Sequence, residues 1–329
     1  MKEKSTVSVP RLRGADYTYR YFHQWFIAIF TVLAIAVMCC VSESFRSAYN
    51  LGNLMNTCFP LILAALGQFI IILTSGIDLS IGSVLTLGNC VSVYFMTKYQ
   101  TGTGLALAII MTVLVGLACG AINGLFVAKF RLPSIIVTIA TSAVFQGMAL
   151  VVMPEPGGTV SQALKTVLKW KAFKLIPLTF FLAVLAVALL LILTNKTSFG
   201  RSLRAIGGNE SAAYGSGIRV ERTKFLAYVL AGLLAALSGL YLSARTSTGD
   251  PNIGNNYTIY SISATVVGGT MMSGAVGQSY GTAFGAVIIF LVNNVLNMLD
   301  VSAYYQYMVQ GAVLVFALIV GSFESRRKN

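Results

Sequence analysis

The chain is punctuated by apolar runs of about 20 residues, the length at which a helix crosses a hydrocarbon core of roughly 30 Å. Nine such runs fall near 25–41, 53–73, 81–97, 104–128, 134–153, 177–194, 225–243, 279–298 and 304–321. A tenth, at 257–272, is richer in Ser, Thr and Gly. Inside a bilayer an unpaired backbone N–H or C=O finds no water, so the chain must satisfy those groups itself, and runs of this length do so as helices. Composition agrees, because 56% of the 329 residues are hydrophobic and only 10% charged, where a soluble domain carries about a quarter. The expected fold is an all-α polytopic membrane protein, one transmembrane domain over 1–329.

The net charge of +13 does not point to nucleic acid, because the basic residues lie between apolar runs rather than on one patch. Lys and Arg mark the cytoplasmic side instead. Four segments carry them: the N-terminus (Lys2, Lys4, Arg11, Arg13, Arg20), the turn with Lys129 and Arg131, the loop from Lys196 to Lys224, and the tail Arg326-Arg327-Lys328. Ten crossings place all four in the cytoplasm, whereas nine would put the tail outside. The expectation is therefore ten helices with both termini cytoplasmic, counting 257–272 as a short or broken span. This divides the domain into a basic N-terminus (1–24), a first half (25–194), a cytoplasmic loop (195–224), a second half (225–321) and a basic tail (322–329). The first run begins near Trp25, late for a cleaved signal peptide, and is expected to stay as a helix. One loop resists the scheme: 154–176 is external, yet carries Lys165, Lys169, Lys171 and Lys174. Cys39, Cys40, Cys58, Cys90 and Cys119 all lie in apolar runs and read as small packing residues; their spacing fits neither zinc nor a disulfide framework.

The two halves echo one another. Gln146-Gly147-Met148-Ala149-Leu150 recurs in type as Gln310-Gly311-Ala312-Val313-Leu314, after Asn123-Gly124 and Asn293-Asn294 respectively. Each Asn-bearing helix follows a Gly-interrupted span, and paired interruptions in two halves point to a transporter's central path. The first interruption is Gly76-Ile77-Asp78-Leu79-Ser80-Ile81-Gly82. An ionised Asp in a bilayer costs several kcal/mol unless solvated or paired. Asp78 therefore caps a helix N-terminus, accepting its free amides, or meets solute or gate in an aqueous path. Gly82, Thr86 and Asn89 share its helical face, which is a close helix contact or a pore wall.

The largest basic loop holds Gly207-Gly208-Asn209-Glu210-Ser211-Ala212-Ala213. Asn209 is expected to cap a short helix that Gly215 and Gly217 end. Such a helix is a docking element for a soluble partner or a solvated connector; the small Ala212 and Ala213 would let a partner groove approach. Gly268-Gly269-Thr270-Met271-Met272-Ser273-Gly274-Ala275-Val276-Gly277 is Gly-rich, but no Gly-Lys-Ser/Thr follows, so it is not a phosphate cradle. The single histidine, His23, stands at the edge of the first run and reads as an interfacial residue. No catalytic constellation appears, which argues against an enzyme.

Gly76-Ile77-Asp78-Leu79-Ser80-Ile81-Gly82-Ser83-Val84 closely resembles the signature of ribose-type (monosaccharide) ABC-transporter permeases. Phe199-Gly200-Arg201, Arg204-Ala205-Ile206-Gly207-Gly208-Asn209 and Ala212-Ala213 through Gly217-Ile218 resemble that family's cytoplasmic coupling loop. Gly268-Gly269-Thr270 and Gly281-Thr282 resemble its C-terminal half. The chain departs where the family usually has acidic residues before Gly-Gly-Thr, here Thr258 and Tyr260, and paired glycines, here Gly274-Ala275.

The resemblance implies a bacterial inner-membrane subunit that binds no cofactor itself. Its partners would be an ATPase, usually one chain with two nucleotide-binding domains that hold ATP and Mg, a second permease subunit, and a solute-binding protein outside. The translocation path or gate would then involve Gly76, Asp78, Ser80, Gly82, Thr86, Asn89, Asn123, Asn293 and Asn294. The ATPase coupling would fall to Gly207, Gly208, Asn209, Glu210, Ala212, Ala213, Gly215 and Gly217. The competing readings are an ABC permease for branched-chain amino acids or nucleosides, and an ion-coupled secondary transporter, for which Asp78 and Asp300 are the candidate ion-pathway residues.

Overall fold

A computed structural model describes residues 14–319 except 42, 101, 173–175, 303, 307, 314 and 316–318; the side chains of 14–26, 41, 44, 48, 49 and 51 are also outside the description. His23, the first basic cluster and the basic tail therefore lie outside it, in whole or in side chain. The described chain is helical apart from one two-stranded ribbon.

Each apolar run meets a helix. These are α1 (Gly14–Val41), α3 (Ala48–Ile72), α4 (Ile81–Lys98), α5 (Gly102–Gly124), α6 (Ser134–Val152), α8 (Leu178–Lys196), α11 (Val220–Thr246), α12 (Tyr257–Val267) and α13 (Ser279–Met298). All described residues between 304 and 319 are helical too. Shorter helices connect them: α2 (Glu43–Arg46), α7 (Gln162–Lys169), α9 (Ser198–Gly208) and α10 (Glu210–Gly215). Among the described residues, six helices are long and apolar enough to cross a membrane, comprising Gly52–Ile72, Gly102–Lys129, Ser134–Val152, Leu178–Lys196, Val220–Thr246 and Ser279–Met298. The α12 helix, with 11 residues, reaches about 16 Å at 1.5 Å per residue, half a hydrocarbon core.

Small residues set the centre. Lipid supplies no hydrophobic drive between helices, so close backbone approach and dispersion must hold them. The α11 helix is wrapped by α3, α4 and α5. A methyl group at Gly232 would collide with the Gly116 carbonyl, and one at Gly120 with that of Tyr228. On the other faces, Gly239 abuts the Leu85 carbonyl, Gly88 abuts Ala236, and Gly67 abuts Ala231. Between α4 and α11, Ser92 Oγ bonds Ser243 Oγ (3.2 Å) and Asn89 Nδ2 donates to the Gly239 carbonyl (3.2 Å).

That enclosure explains α4. Fourteen of its 18 residues are buried, so it faces protein rather than lipid and tolerates Ser, Thr, Asn and Gly in mid-helix. The lipid-facing helices show the opposite: Ile136, Val144 and Val151 of α6, and Leu185 and Leu189 of α8, are exposed.

Candidate functional site

Two helix interruptions and one loop meet at one end of the bundle. The first interruption separates α3 from α4. The α3 helix closes through Leu73 to Gly76, where Gly76 N–H bonds the Ile71 carbonyl (3.2 Å) and Ser75 takes a positive φ of 60°. The chain then runs extended beside α6, which supplies hydroxyls to the loose backbone: Ser134 Oγ accepts from Ile77 N–H (3.3 Å) and Thr138 Oγ1 from Leu79 N–H (3.0 Å). With its oxygen turned to the Asp78 amide, the Gln68 side chain of α3 pairs both backbone groups of Asp78, at 3.3 and 3.0 Å. A buried backbone without a ladder is held here by side chains, as hydrocarbon depth requires.

Asp78 is 3% exposed. Its Oδ1 accepts from both Ser80 N–H (2.8 Å) and Ser80 Oγ (2.7 Å). The expected cap is thereby shifted. The cap residue of α4 is Ser80, the carboxylate serves Ser80 rather than the first-turn amides, and the Gly82 amide goes to Thr258 Oγ1 (3.1 Å). Among the described residues no Lys or Arg lies within ion-pair distance of Asp78.

Asn123 is the hub. It sits where α5 passes into a π-helical turn, Leu125–Lys129, a distortion often found at functional sites. Its Nδ2 donates to Ser80 Oγ (2.7 Å) and its Oδ1 accepts from Thr141 Oγ1 (2.7 Å), tying α4, α5 and α6 together. Ser134, Thr138 and Thr141 are the residues that sequence reasoning missed. Their spacing puts three hydroxyls on one stripe of an otherwise apolar helix, a signal that was present and unused.

Gly82, Thr86 and Asn89 meet the segment that leads into α12. It descends along α4 in register: Asp250 N–H bonds Asn89 Oδ1 (2.9 Å), Gly254 N–H bonds Thr86 Oγ1 (3.0 Å), and Gly82 N–H bonds Thr258. A methyl group at Gly254 would strike the Gly82 carbonyl. The N-termini of α4 and α12 therefore converge.

Asn293 and Asn294 lie elsewhere. Asn293 Oδ1 accepts from Gln310 Nε2 (2.6 Å), and Asn294 lines a separate cavity of about 210 Å³ with Asn50 and Asn53. Gln146, the first-half counterpart of Gln310, donates to the Pro251 carbonyl (2.5 Å), so the paired motifs are used differently. Asp300 is exposed just beyond α13, at a positive φ of 51°.

The second interruption, 268–278, turns back on itself through Gly269, Gly274 and Ala275, all at positive φ. It locks onto the first: Ala275 N–H bonds the Leu73 carbonyl (3.0 Å), and Ser75 Oγ donates to the Ser273 carbonyl (2.6 Å). The α9 helix completes the clamp. Ser75 Oγ also reaches the Gly207 carbonyl (3.0 Å), and Gly207 fits only because it lacks a side chain, since a methyl group there would strike the Leu73 carbonyl and the Ala275 amide. Arg204 donates to the carbonyls of Ala275 and Gly277, each at 3.0 Å, and to Asn195 Oδ1 at 2.9 Å. Gly207 thus serves the clamp, while Gly208 is the last residue of α9 and the extended Asn209 leads into α10.

Asn209 caps α10 as expected, accepting from Ala212 N–H (2.9 Å), and the helix ends at Gly215 with Gly217 at a positive φ of 82°. Glu210 pairs with Lys224 (2.6 Å), anchoring α10 to α11. Ala212 and Tyr214 are exposed. Ala213 is not: it packs on Ile206 and Val220, because the loop folds into two helices with a small core of their own.

A family model described as branched-chain amino acid transport system / permease component matches residues 50–318. The chain belongs to this family. Among its relatives is the ribose import permease protein RbsC of Bacillus subtilis (strain 168), 38% identical, with 90% of this chain and 91% of the relative covered. The ribose import permease protein RbsC of Escherichia coli (strain K12) is 33% identical over 92% and 96%. The xylose transport system permease protein XylH of Escherichia coli (strain K12) is 30% identical over 92% and 93%. No solved structure matches the chain. In this permease the matched region takes in both interruptions and the α9–α10 loop.

Proposed function

We propose that the chain is the membrane-spanning permease subunit of a binding-protein-dependent ABC importer for a sugar or sugar-like solute, of the class that the ribose and xylose permeases carry. It sits in a bacterial inner membrane with both termini cytoplasmic and crosses ten times, α4, α12 and the terminal helices included. It pairs with a second permease subunit, receives solute from an external binding protein, and draws on a separate ATPase that binds ATP and Mg.

The observation that carries the reading is the clamp. The α10 helix presents Ala212 and Tyr214 outward, while α9 holds both interruptions through Arg204, Gly207 and Ser75. A push on α10 is therefore delivered to the turns after α3 and before α13 without passing through a flexible linker. At the other end of the first turn, Asp78, Ser80 and Asn123 hold the start of α4 against α5 and α6, and Gly82, Thr86 and Asn89 hold the start of α12. The solute path opens when these two converging helix ends part. Asn293 and Asn294 belong to the opposite half of that path.

Two variants separate docking from transmission. Ala212→Arg places a bulky charge on the exposed face of α10 and should abolish ATPase co-purification and uptake while leaving the permease stable. Arg204→Gln keeps α10 and should retain ATPase binding but lose solute-stimulated uptake. Unchanged ATPase binding and uptake in Ala212→Arg would show that this loop does not dock the motor.

A further inference from the structure

The four lysines of the 154–176 loop run against the charge pattern of the rest of the chain, and the structure gives Lys165, Lys169 and Lys171 a setting. The α8 and α11 helices both pack on α3 and leave a groove between them of about 620 Å³. Leu185, Leu189 and Leu193 line one side and Leu230, Leu234 and Leu237 the other, over a floor of Phe59 and Leu63. The span from Leu182 to Leu193 is about 16 Å along the helix, close to the hydrocarbon depth of one leaflet.

At the end away from the α9–α10 loop, the groove meets α7. This short helix is amphipathic, with Leu164 and Leu168 on the groove and Lys165 and Lys169 beside them. Beyond it opens a polar pocket of about 590 Å³, lined by Lys165, Lys169, Lys171 and Arg245 with Asn53 and Asn56. Leu168 and Tyr241 line both cavities, so the two are adjacent. No carboxylate lines the pocket among the described residues. Arg245 is held in place by a bond to Thr57 Oγ1 (2.7 Å), and Tyr241 by one to the Asn56 carbonyl (2.9 Å). Exposed Trp170 follows α7 directly, as suits a residue at the headgroup level.

We propose that this composite cavity is a binding site for an anionic diacyl phospholipid, its phosphate on Lys165, Lys169 and Arg245 and one acyl chain in the leucine groove. Charge complementarity selects the headgroup, since clustered Lys and Arg at a membrane surface attract anionic lipid, and the wholly apolar groove beside it selects a ligand that carries a hydrocarbon tail. A soluble acidic partner would use the lysines and leave the groove empty. The site lies apart from the clamp, so it stands independently of the import reading.

The test is retention of lipid by the delipidated, detergent-purified full chain, read by native mass spectrometry. Dioleoyl phosphatidylglycerol should be held about tenfold or more over dioleoyl phosphatidylcholine, which has the same tails and no net charge. Lys165→Gln with Lys169→Gln should erase most of that preference, and Ala186→Trp, which fills the groove, should weaken phosphatidylglycerol binding with the lysines intact. Glycerol phosphate at equal concentration should not displace the lipid. Equal retention of the two lipids by the unmodified chain would overturn the proposal, and needs no variant to fold. Displacement by glycerol phosphate would reduce the site to a phosphate pocket. Dimers cross-linked through Leu189→Cys that exclude phosphatidylglycerol would give the groove to a second copy instead. Either result also overturns it.

Discussion

At the residue scale the buried carboxylate is the sharpest object. Asp78 uses one oxygen for two bonds to Ser80, and an asparagine keeps an oxygen in that place. Asp78→Asn should therefore assemble and melt close to the parent. Asp78→Ala strands the buried Ser80 donors and should cost about 1–3 kcal/mol, seen as a lower melting temperature in detergent. If Asp78→Asn is stable yet uptake falls, the charge itself acts in the gate; equal full uptake in both variants would remove Asp78 from the mechanism. Ala275 is the complementary case. It stands in the left-handed region at φ 62°, where a Cβ costs about 1–2 kcal/mol. Ala275→Gly should raise the melting temperature, less the entropy glycine returns to the unfolded chain. A fall would mean that the methyl group's packing outweighs the backbone strain.

At the scale of elements, the sequence was most legible where one property decides the outcome. Lipid demands long apolar helices, so α3, α5, α6, α8, α11 and α13 were readable from hydropathy alone. The Asn209 cap and the Gly217 stop were readable too, because capping is local. The hub was half-readable: Asp78, Ser80 and Asn123 announce themselves as polar groups in apolar surroundings, but their α6 partners look like tolerated hydroxyls until α6 is laid against the 76–80 segment. The clamp was hidden. Arg204 lies 71 and 73 residues from the carbonyls it holds, and no periodicity carries information over that distance. Ala213 misled for the same reason, its burial depending on Ile206 and Val220 folding over it. Glycines divide likewise. Gly232 sits backbone to backbone with Gly116 and Gly120, so Gly232→Val overpacks a contact that cannot yield, costing about 3 kcal/mol or more. Gly147 has nothing within 4 Å of an added methyl group, so Gly147→Ala should be neutral or stabilise α6 by up to about 1 kcal/mol. Yields of monodisperse protein for the two variants check this; equal yields would mean that the α5–α11 contact does not limit folding.

At the scale of the whole molecule the question is which way the chain passes through the membrane. Two of the four basic segments share one end of the bundle. Arg131 after α5 pairs with Glu221 at the start of α11 (3.2 Å), and Lys224 pairs with Glu210 of α10 (2.6 Å). Gln278, just before α13, bonds Asn195 at the end of α8 (2.9 Å), so α13 starts from that same end. It therefore finishes at the other, and the described residues between 304 and 319, with Gln306 bonded to Asn297 and Gln310 to Asn293, lead back toward the first. At the chain's beginning, Thr57 near the start of α3 lies against Arg245 at the far end of α11, so α3 starts from the far end. Positive charge favours the cytoplasm, and the expectation is that the first basic cluster and the tail, both outside the described residues, share that side with these two segments if α12 counts as a pass. Reporter fusions after Arg131, within 201–219 and after Asn329 should all read cytoplasmic, and one within the 154–161 segment should read external. An external C-terminus would mean that α12 does not complete a traverse with its neighbouring segments, leaving nine passes and a tail that defies its own charge.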